Sequence, residues 1–410
     1  MRHAKIRWGP DSCPIPRRID FEMARYNPRM SKIDTIESIS DKLAATSISV
    51  VPKRCVYIRN WHSRCRSCLT ACQHDAVKRS LGHLSIDSEL CTNCGACVAA
   101  CPTSAMSTTA PSATEIVRQA RISAERNAGS AAFICARHAQ TTHIDTDRVV
   151  VLPCLDYLDE YLITGMFALK FMRVVLFTLS CEGCDIDCEQ PYFEEMVRST
   201  HQVLDLWKIP GTFATLDEVP ATLVLDKPRA QTNVIKSDRR EAFEQAGASA
   251  VGYAWHAVSS AIGSLTGEAA PDSNAQIIMT PEERFAPDSY RSIRLLRMLE
   301  TIGTHPQGAT IDTRFWASVD IDPDRCKRCG ACARMCVTQA LKYHVDDERR
   351  ATLSFRPALC VNCHLCRDSC ISHSMIYTTK VPAADLVPDV IKFLYKDEEL
   401  PQKGSPRIGL

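Results

Sequence analysis

Two stretches near the end of the chain repeat a single spacing. Cys326, Cys329, Cys332 and Cys336 follow the pattern Cys-x2-Cys-x2-Cys-x3-Cys, and Cys360, Cys363, Cys366 and Cys370 follow it again without a gap. Three thiolates spaced so closely wrap three corners of a cubane, and the fourth cysteine is expected to begin a short helix that points at a neighbouring cluster. The runs should therefore cross over. One 4Fe-4S cluster would take Cys326, Cys329, Cys332 and Cys370, and the other Cys360, Cys363, Cys366 and Cys336.

An internal repeat carries the same signal to the other end of the chain. Cys91 to Met106 matches Cys326 to Leu341 at half of its positions, so the two ends are versions of one module. In the N-terminal copy Cys91, Cys94, Cys97 and Cys101 are complete, but the run before them is reduced to Cys65, Cys68 and Cys72, with His62 where its first cysteine belongs. Cys55, ten residues before Cys65, could loop back to the vacant iron. It is favoured over His62 because four thiolates are the common ligand set of a cubane. One N-terminal cluster is then expected on Cys55, Cys65, Cys68 and Cys101 and the other on Cys72, Cys91, Cys94 and Cys97; the bland alternative is a degenerate first site with Cys55 merely buried.

These residues resemble the bacterial two-cluster ferredoxin family, the C-terminal resemblance covering Asp320 to Tyr377. It implies four 4Fe-4S clusters in all and electron transfer as their use. Val337 and Ile371 stand where that family usually has proline after the fourth cysteine, a change that removes no ligand.

Between the modules the periodicity changes. Ala131 to Ile134, Arg148 to Leu152, Arg173 to Leu179 and Ala221 to Leu225 are short runs with strand character, separated by helix-compatible segments, which predicts a parallel sheet. Cys135, Cys154 and Cys181 follow three of these strands, and ligands in open parallel sheets bind beyond the carboxyl ends of strands. With Cys184 they form the candidate central site; His138 is a further candidate, and Cys188 and Cys13 are read as incidental. The stretch from Ala131 to Gln190 resembles the delta subunit of methyl-viologen-reducing hydrogenase, an iron-sulfur family, although His138 stands where that family tends to have a cysteine. The resemblance implies a 2Fe-2S cluster that relays electrons between flavin or disulfide-reductase subunits and hydrogenase. Zinc held by four thiolates and a cysteine redox pair stay open as alternatives.

The predicted fold class is α+β: two ferredoxin-like two-cluster modules flanking a central α/β domain with a mostly parallel sheet. The expected divisions are an N-terminal extension (1–50), a 4Fe-4S module (51–110), the central domain (111–230), a helix and connector (231–315), a second 4Fe-4S module (316–380) and a tail (381–410). Helical spacing of Ile33, Ile36, Ile39 and Leu43 behind Ser31 predicts a packing helix, Asp238 to Ser264 reads as a second helix, and Gly267 to Ser289 reads as a connector.

Length and charge narrow the function. A chain of 410 residues can hold several cores, and 49 basic against 48 acidic residues give no nucleic-acid footprint. Cysteines in ligand spacings favour a reducing cytoplasm, and the basic Met1 to Pro10 runs into Asp11, Ser12 and Pro14 without an apolar signal core. Lys170 and Arg173 inside the apolar stretch from Tyr161 to Ser180 argue for a buried helix and strand instead of a transmembrane segment. No phosphate loop or dinucleotide fingerprint is present. The leading expectation is an oxygen-sensitive electron-relay subunit of a cytoplasmic oxidoreductase, partnered by flavin, molybdopterin or hydrogenase subunits. The rivals are a ferredoxin-fed reductase with its chemistry at the central cysteines, and a redox or iron sensor.

Overall fold

The computed structural model describes residues 47–108, 110–184, 186, 191–226 and 290–399. The two expected helices around Ile33 and Asp238, the connector from Gly267, and Cys13 and Cys188 lie outside the described residues.

A four-stranded sheet forms the middle of the chain. Its strands β5 (Ser130–Cys135), β6 (Val150–Leu152), β7 (Arg173–Phe177) and β8 (Thr212–Leu216) are all parallel and lie in the order β6-β5-β7-β8. Alternation with a period of two sends Phe133, Val150, Leu152 and Leu176 into one core and Ile134, Val151, Val175 and Phe177 into the other, so both faces are covered. The larger core receives α4 (Ala113–Arg126), α6 (Glu160–Ala168), α7 (Pro191–Leu206) and α8 (Arg291–Ile302). The other face receives Ala139 of α5 (Ala136–Thr141). Local signals set two of these helices: the Ser112 hydroxyl caps α4 by accepting the Glu115 amide at 3.2 Å, and the Asp159 carboxylate caps α6 by accepting the Leu162 amide at 2.8 Å. The stretch from Tyr161 to Ser180 forms a buried helix and a strand, and no helix among the described residues is long and apolar enough to cross a membrane.

One predicted strand is corrected. Ala221–Leu223 is a turn of 3-10 helix, begun by Pro220; Leu223 packs into the second core, Arg148 donates to the Thr222 carbonyl, and the run's strand-like pairing is limited to an isolated antiparallel bridge between Ile144 and Val224. Proline has no amide hydrogen to give to a ladder, and its fixed φ starts the turn. The fourth strand is Thr212–Leu216, entered through Gly211 at φ +124, where a Cβ would meet the Phe167 ring at 2.6 Å.

The ends of the chain share one plan. In the N-terminal module β1 (Ile48–Val50) pairs antiparallel with β4 (Met106–Thr108), and β2 (Val77–Ser80) forms a hairpin with β3 (His83–Ile86). In the C-terminal module β10 (Ser318–Ile321) pairs with β13 (Met375–Thr378), and β11 (Leu341–Val345) with β12 (Arg350–Phe355). Strand β15 (Lys392–Glu399) adds to β12, and β9 (Thr310–Asp312) pairs with β14 (Lys380–Pro382). The short helices follow one rule as well: α2 (Ser67–Thr70), α3 (Ala96–Ala100), α9 (Ala331–Met335) and α10 (Leu365–Asp368) each contain a run's third cysteine or the residue that stands for it, while α1 (Val56–Arg59) follows Cys55. The fourth cysteine does not begin a helix. Cys101 and Cys336 cap the C-terminal ends of α3 and α9, and Cys72 and Cys370 follow α2 and α10.

Two arginines tie these parts together. Arg314 donates to both carboxylate oxygens of Glu160, at 2.8 and 2.5 Å, and to the Ala99 carbonyl at 2.9 Å, while its own carbonyl accepts from Asn362. Arg291 pairs with Asp159 at 2.7 Å and donates to the carbonyls of Val98 and Cys101. The Glu160 side chain is 0% exposed, so removing its partner would strand a buried charge. Arg314→Gln is accordingly expected to lower the apparent Tm by an amount equivalent to ~3–5 kcal/mol. The double variant Glu160→Gln/Arg314→Gln should melt above that single variant. Melting of the double variant at or below the single would contradict this account.

Candidate iron-sulfur sites

Cysteine loops wrap around a cluster by placing residues in the left-handed region. Asn93 (φ 53) and Gly95 (φ 86) do so in the Cys91 run, Arg328 (φ 49) and Gly330 (φ 69) in the Cys326 run, and Asn362 (φ 52) and His364 (φ 60) in the Cys360 run. A second signature follows each fourth cysteine. Asp75, Ser104, Gln339 and His373, each three residues on, all have φ between 50 and 55. This turn aims amides back at sulfur: the N–H groups of Ala76, Ala105 and Ser374 donate to the sulfurs of Cys72, Cys101 and Cys370 at 3.3, 3.2 and 3.4 Å. Hydroxyls at the second position after the cysteine also approach, with Thr103, Thr338 and Ser372 at 3.8, 3.7 and 3.5 Å from Cys101, Cys336 and Cys370. Cysteine spacing alone does not single these hydroxyls out. Their signal is the recurring Cys-x-Thr/Ser, which fails only at Cys72-Gln73-His74.

Within each module the thiols lie in one another's electrostatic reach. Burial pushes the Cys68 thiol up, and Cys101, Cys65 and Cys55 push it further. Burial does the same for Cys97, with Cys94, Cys68, Cys91 and Cys72 as its sulfur neighbours. Cys332 is pushed up to about 12 by burial and then by Cys329, Cys326 and Cys370. Cys366 is raised by burial and then by Cys363, Cys360, Cys336 and Cys332. Cys370 differs: burial is the largest single influence and raises it, but hydrogen bonds with Ser374 and Ser372 and with the Ser374 and Met375 amides together hold it below the ordinary thiol value.

Two cavities are lined by complete quartets. Cys336, Cys360, Cys363 and Cys366 line one, beside Val319, Phe355 and Tyr377. Cys72, Cys91, Cys94 and Cys97 line the other, beside Ile48, His74 and Ile86. Buried thiols that oppose one another's ionisation fit a polycationic iron core, which neutralises them on binding. Among the described residues no three His, Cys, Asp or Glu close around a single metal ion.

Cys55 is 8% exposed and lies within the electrostatic reach of Cys101 and Cys65. The 3-10 turn Pro52–Arg54 carries it there, and the amides of Ile58 and Tyr57 hydrogen-bond its sulfur. His62 is exposed, its ring tilted 33° against that of Trp61 with centroids 3.7 Å apart. Val337, in the place of the usual proline, is fully buried, and its carbonyl accepts from the Tyr290 hydroxyl at 3.1 Å, whereas Ile371 is exposed. No disulfide joins any of the twenty described cysteines.

In the central domain, Cys135 ends β5 and caps α5, Cys154 lies two residues beyond β6, and Cys181 and Cys184 lie beyond β7. All four therefore sit at the carboxyl edge of the sheet. The Arg137 guanidinium holds the loop after β7 by donating to the carbonyls of Cys181 and Glu182 at 3.4 and 2.8 Å. Burial lowers the His138 pKa, a hydrogen bond with the Ser180 backbone opposes that, and Arg137 adds to the lowering. Burial alone pushes the Asp156 carboxyl, whose amide donates to the Cys154 sulfur, up to about 7.

A 4Fe-4S binding domain matches residues 84–107, and a 4Fe-4S dicluster domain matches residues 325–374. The first match spans the regular Cys91 run, and the second spans all eight C-terminal cysteines. No curated protein and no solved structure matches the chain. Two 4Fe-4S-binding regions flanking a central domain define an iron-sulfur protein of multi-cluster ferredoxin type. Its general role is electron transfer, and domains of this kind are typically carriers of electrons, not catalysts.

Gly330 supplies a direct check on loop geometry. At φ +69 an added Cβ would press into the Tyr343 ring, whose hydroxyl bonds the Arg328 carbonyl at 2.8 Å. Gly330→Ala is expected to reduce iron retained after purification by about one cluster, with the secondary-structure spectrum unchanged. Full iron content in this variant would show that the loop tolerates the change and that its left-handed turn is not required.

Proposed function

We propose that the chain is an electron-relay subunit of a multi-subunit cytoplasmic oxidoreductase and holds four 4Fe-4S clusters. The assignments are Cys55, Cys65, Cys68 and Cys101; Cys72, Cys91, Cys94 and Cys97; Cys326, Cys329, Cys332 and Cys370; and Cys336, Cys360, Cys363 and Cys366. The grouping of the buried thiols and the two cysteine-lined cavities support them. The domain divisions are those drawn from the cysteine density, with modules over 51–110 and 316–380.

The observation that carries the relay reading is the contact between the modules. Cys65 and Cys363 pack against one apolar cluster of Val56, Tyr290, Ile293, Val337, Val361 and Leu365. Cys65 is among the groups that raise Cys363. Polar ties flank the contact: the Arg64 amide donates to Asp368 at 2.8 Å, and Asn60 donates to Ser369 at 3.2 Å. Bound clusters supply one-electron chemistry, and the chain's part is to ligate them, keep water away and donate hydrogen bonds to their sulfur ligands. Two isolated storage modules would have no need to bring their inner cysteines together.

Cys135, Cys154, Cys181 and Cys184 would hold a 2Fe-2S cluster, as in the hydrogenase delta-subunit family that this segment resembles, or zinc. Flavin, molybdopterin or hydrogenase subunits are the partners such a relay would serve, and thiolate-held iron makes it oxygen-sensitive.

The test is metal and sulfide content after oxygen-free purification. The reading predicts about 16 iron with matching sulfide, or about 18 if the central site holds a 2Fe-2S cluster. Cys55→Ala should lose about one cluster while His62→Ala keeps all of them. About 12 iron in the wild-type chain, or loss on His62→Ala instead, would overturn the N-terminal assignment. Little iron with stoichiometric zinc would overturn the relay.

A further inference from the structure

The two modules differ in how they cover one cluster loop. In the C-terminal module the ring of Tyr343, on β11, lies against Gly330 of the Cys326 loop. The internal repeat places Thr108 at the position of Tyr343 and Gly95 at that of Gly330, so the N-terminal module has no aromatic of its own for this role. Yet a ring is there. An added Cβ at Gly95 would meet the Tyr157 ring at 2.8 Å, and Tyr157 belongs to the central domain.

The surroundings of Tyr157 fit it to that place. It is buried, its hydroxyl donates to the Ala110 carbonyl at 3.1 Å, and burial pushes its pKa up to about 12. Hydrogen bonds with Ser47 and Thr108 act on the same phenol, so the residue that stands where the module's own tyrosine would be instead helps to hold the borrowed one. Cys94 and Cys97 are its electrostatic neighbours. Its backbone position is set by the central cysteine loop, because the Tyr157 amide donates to the Cys154 carbonyl at 3.3 Å. A second tie runs alongside: His74, which lines the same cavity as Cys72, Cys91, Cys94 and Cys97, contacts the Ile186 carbonyl at 2.9 Å, two residues past Cys184.

We propose that Tyr157 is a positioning residue for the cluster held by Cys72, Cys91, Cys94 and Cys97, a ring lent by the central domain that shields this cluster from water and thereby sets its potential. The inference rests on the cluster assignment proposed above. Reduction adds negative charge to a cluster already made anionic by its thiolates. Water stabilises the reduced form more than an aromatic face does, so removing the ring should raise the potential.

The experiment is a potentiometric titration of the full chain, followed by electron paramagnetic resonance, with the signal of this cluster identified as the one that Cys94→Ala abolishes. Tyr157→Ala is expected to raise its reduced-to-oxidised ratio at fixed ambient potential about tenfold, which is about 59 mV for a one-electron couple. Tyr157→Phe, which keeps the ring, should stay close to wild type. Tyr343→Ala should leave this signal alone and shift the one that Cys329→Ala abolishes. If Tyr157→Ala loses iron, Tyr157→Leu replaces it, with a smaller shift in the same direction expected. An unchanged potential in the alanine or leucine variant with iron retained would overturn the inference. So would a shift as large in Tyr157→Phe. Absence from the wild-type protein of any signal sensitive to Cys94→Ala would instead overturn the cluster assignment itself.

Discussion

The structure depends on two part-buried arginines that face one short helix. Arg291 donates to the carbonyls of Val98 and Cys101 and Arg314 to that of Ala99, at the end of α3, and the same two side chains neutralise Asp159 and Glu160 at the start of α6. One set of charges thus fixes the N-terminal module against the central domain. Arg314 also accepts from Asn362 beside Cys363, which brings in the C-terminal module. Trp207 and Trp316, with ring centroids 6.3 Å apart, fill the core that these ties surround. The cysteine loops pack on smaller cores of their own, around Ile48 and Met106 in one module and Val319 and Phe355 in the other, and this bracket joins those cores to the central sheet.

Within that frame the duplicated module is used in two ways. Its strands, its left-handed loop residues and its turn after each fourth cysteine recur with small changes. What differs is what each copy leans on. The C-terminal copy covers its Gly330 loop with its own Tyr343, whereas the N-terminal copy takes Tyr157 from the central domain and accepts a loop contact at His74. The copies meet where Cys65 and Cys363 share apolar neighbours, and there burial and like charge both oppose free thiolates. An iron core resolves that opposition, which is why the loops make chemical sense only as ligands.

Much of this was legible because cysteine spacing and hydrophobic alternation are local. The runs at Cys91, Cys326 and Cys360 announce their loops, and the strands before Cys135, Cys154 and Cys181 announce a parallel sheet. The errors have local causes too. The run from Ala221 is β-branched, but Pro220 turns it into a 3-10 helix, and the fourth strand instead follows Gly211, whose importance lies in contact with Phe167 far along the chain. Nonlocal partners were illegible. Arg291 and Arg314 lie in the expected helix and connector, with no local pattern to mark their partners, and nothing in the sequence around Tyr157 points to a cysteine loop. Only the substitution of Thr108 for the aromatic at Tyr343 could have hinted that a ring must come from elsewhere.

The account's central claim is that the inner cysteines of the two modules form one continuous redox unit. Low-temperature electron paramagnetic resonance of the fully reduced chain tests it most directly, comparing wild type with Cys68→Ala, which removes the N-terminal inner site alone. The account predicts that the signal of the cluster on Cys336, Cys360, Cys363 and Cys366 is broadened by a magnetic neighbour in the wild type and narrows in the variant. An identical line shape in both, with iron in the variant lower by one cluster, would contradict it.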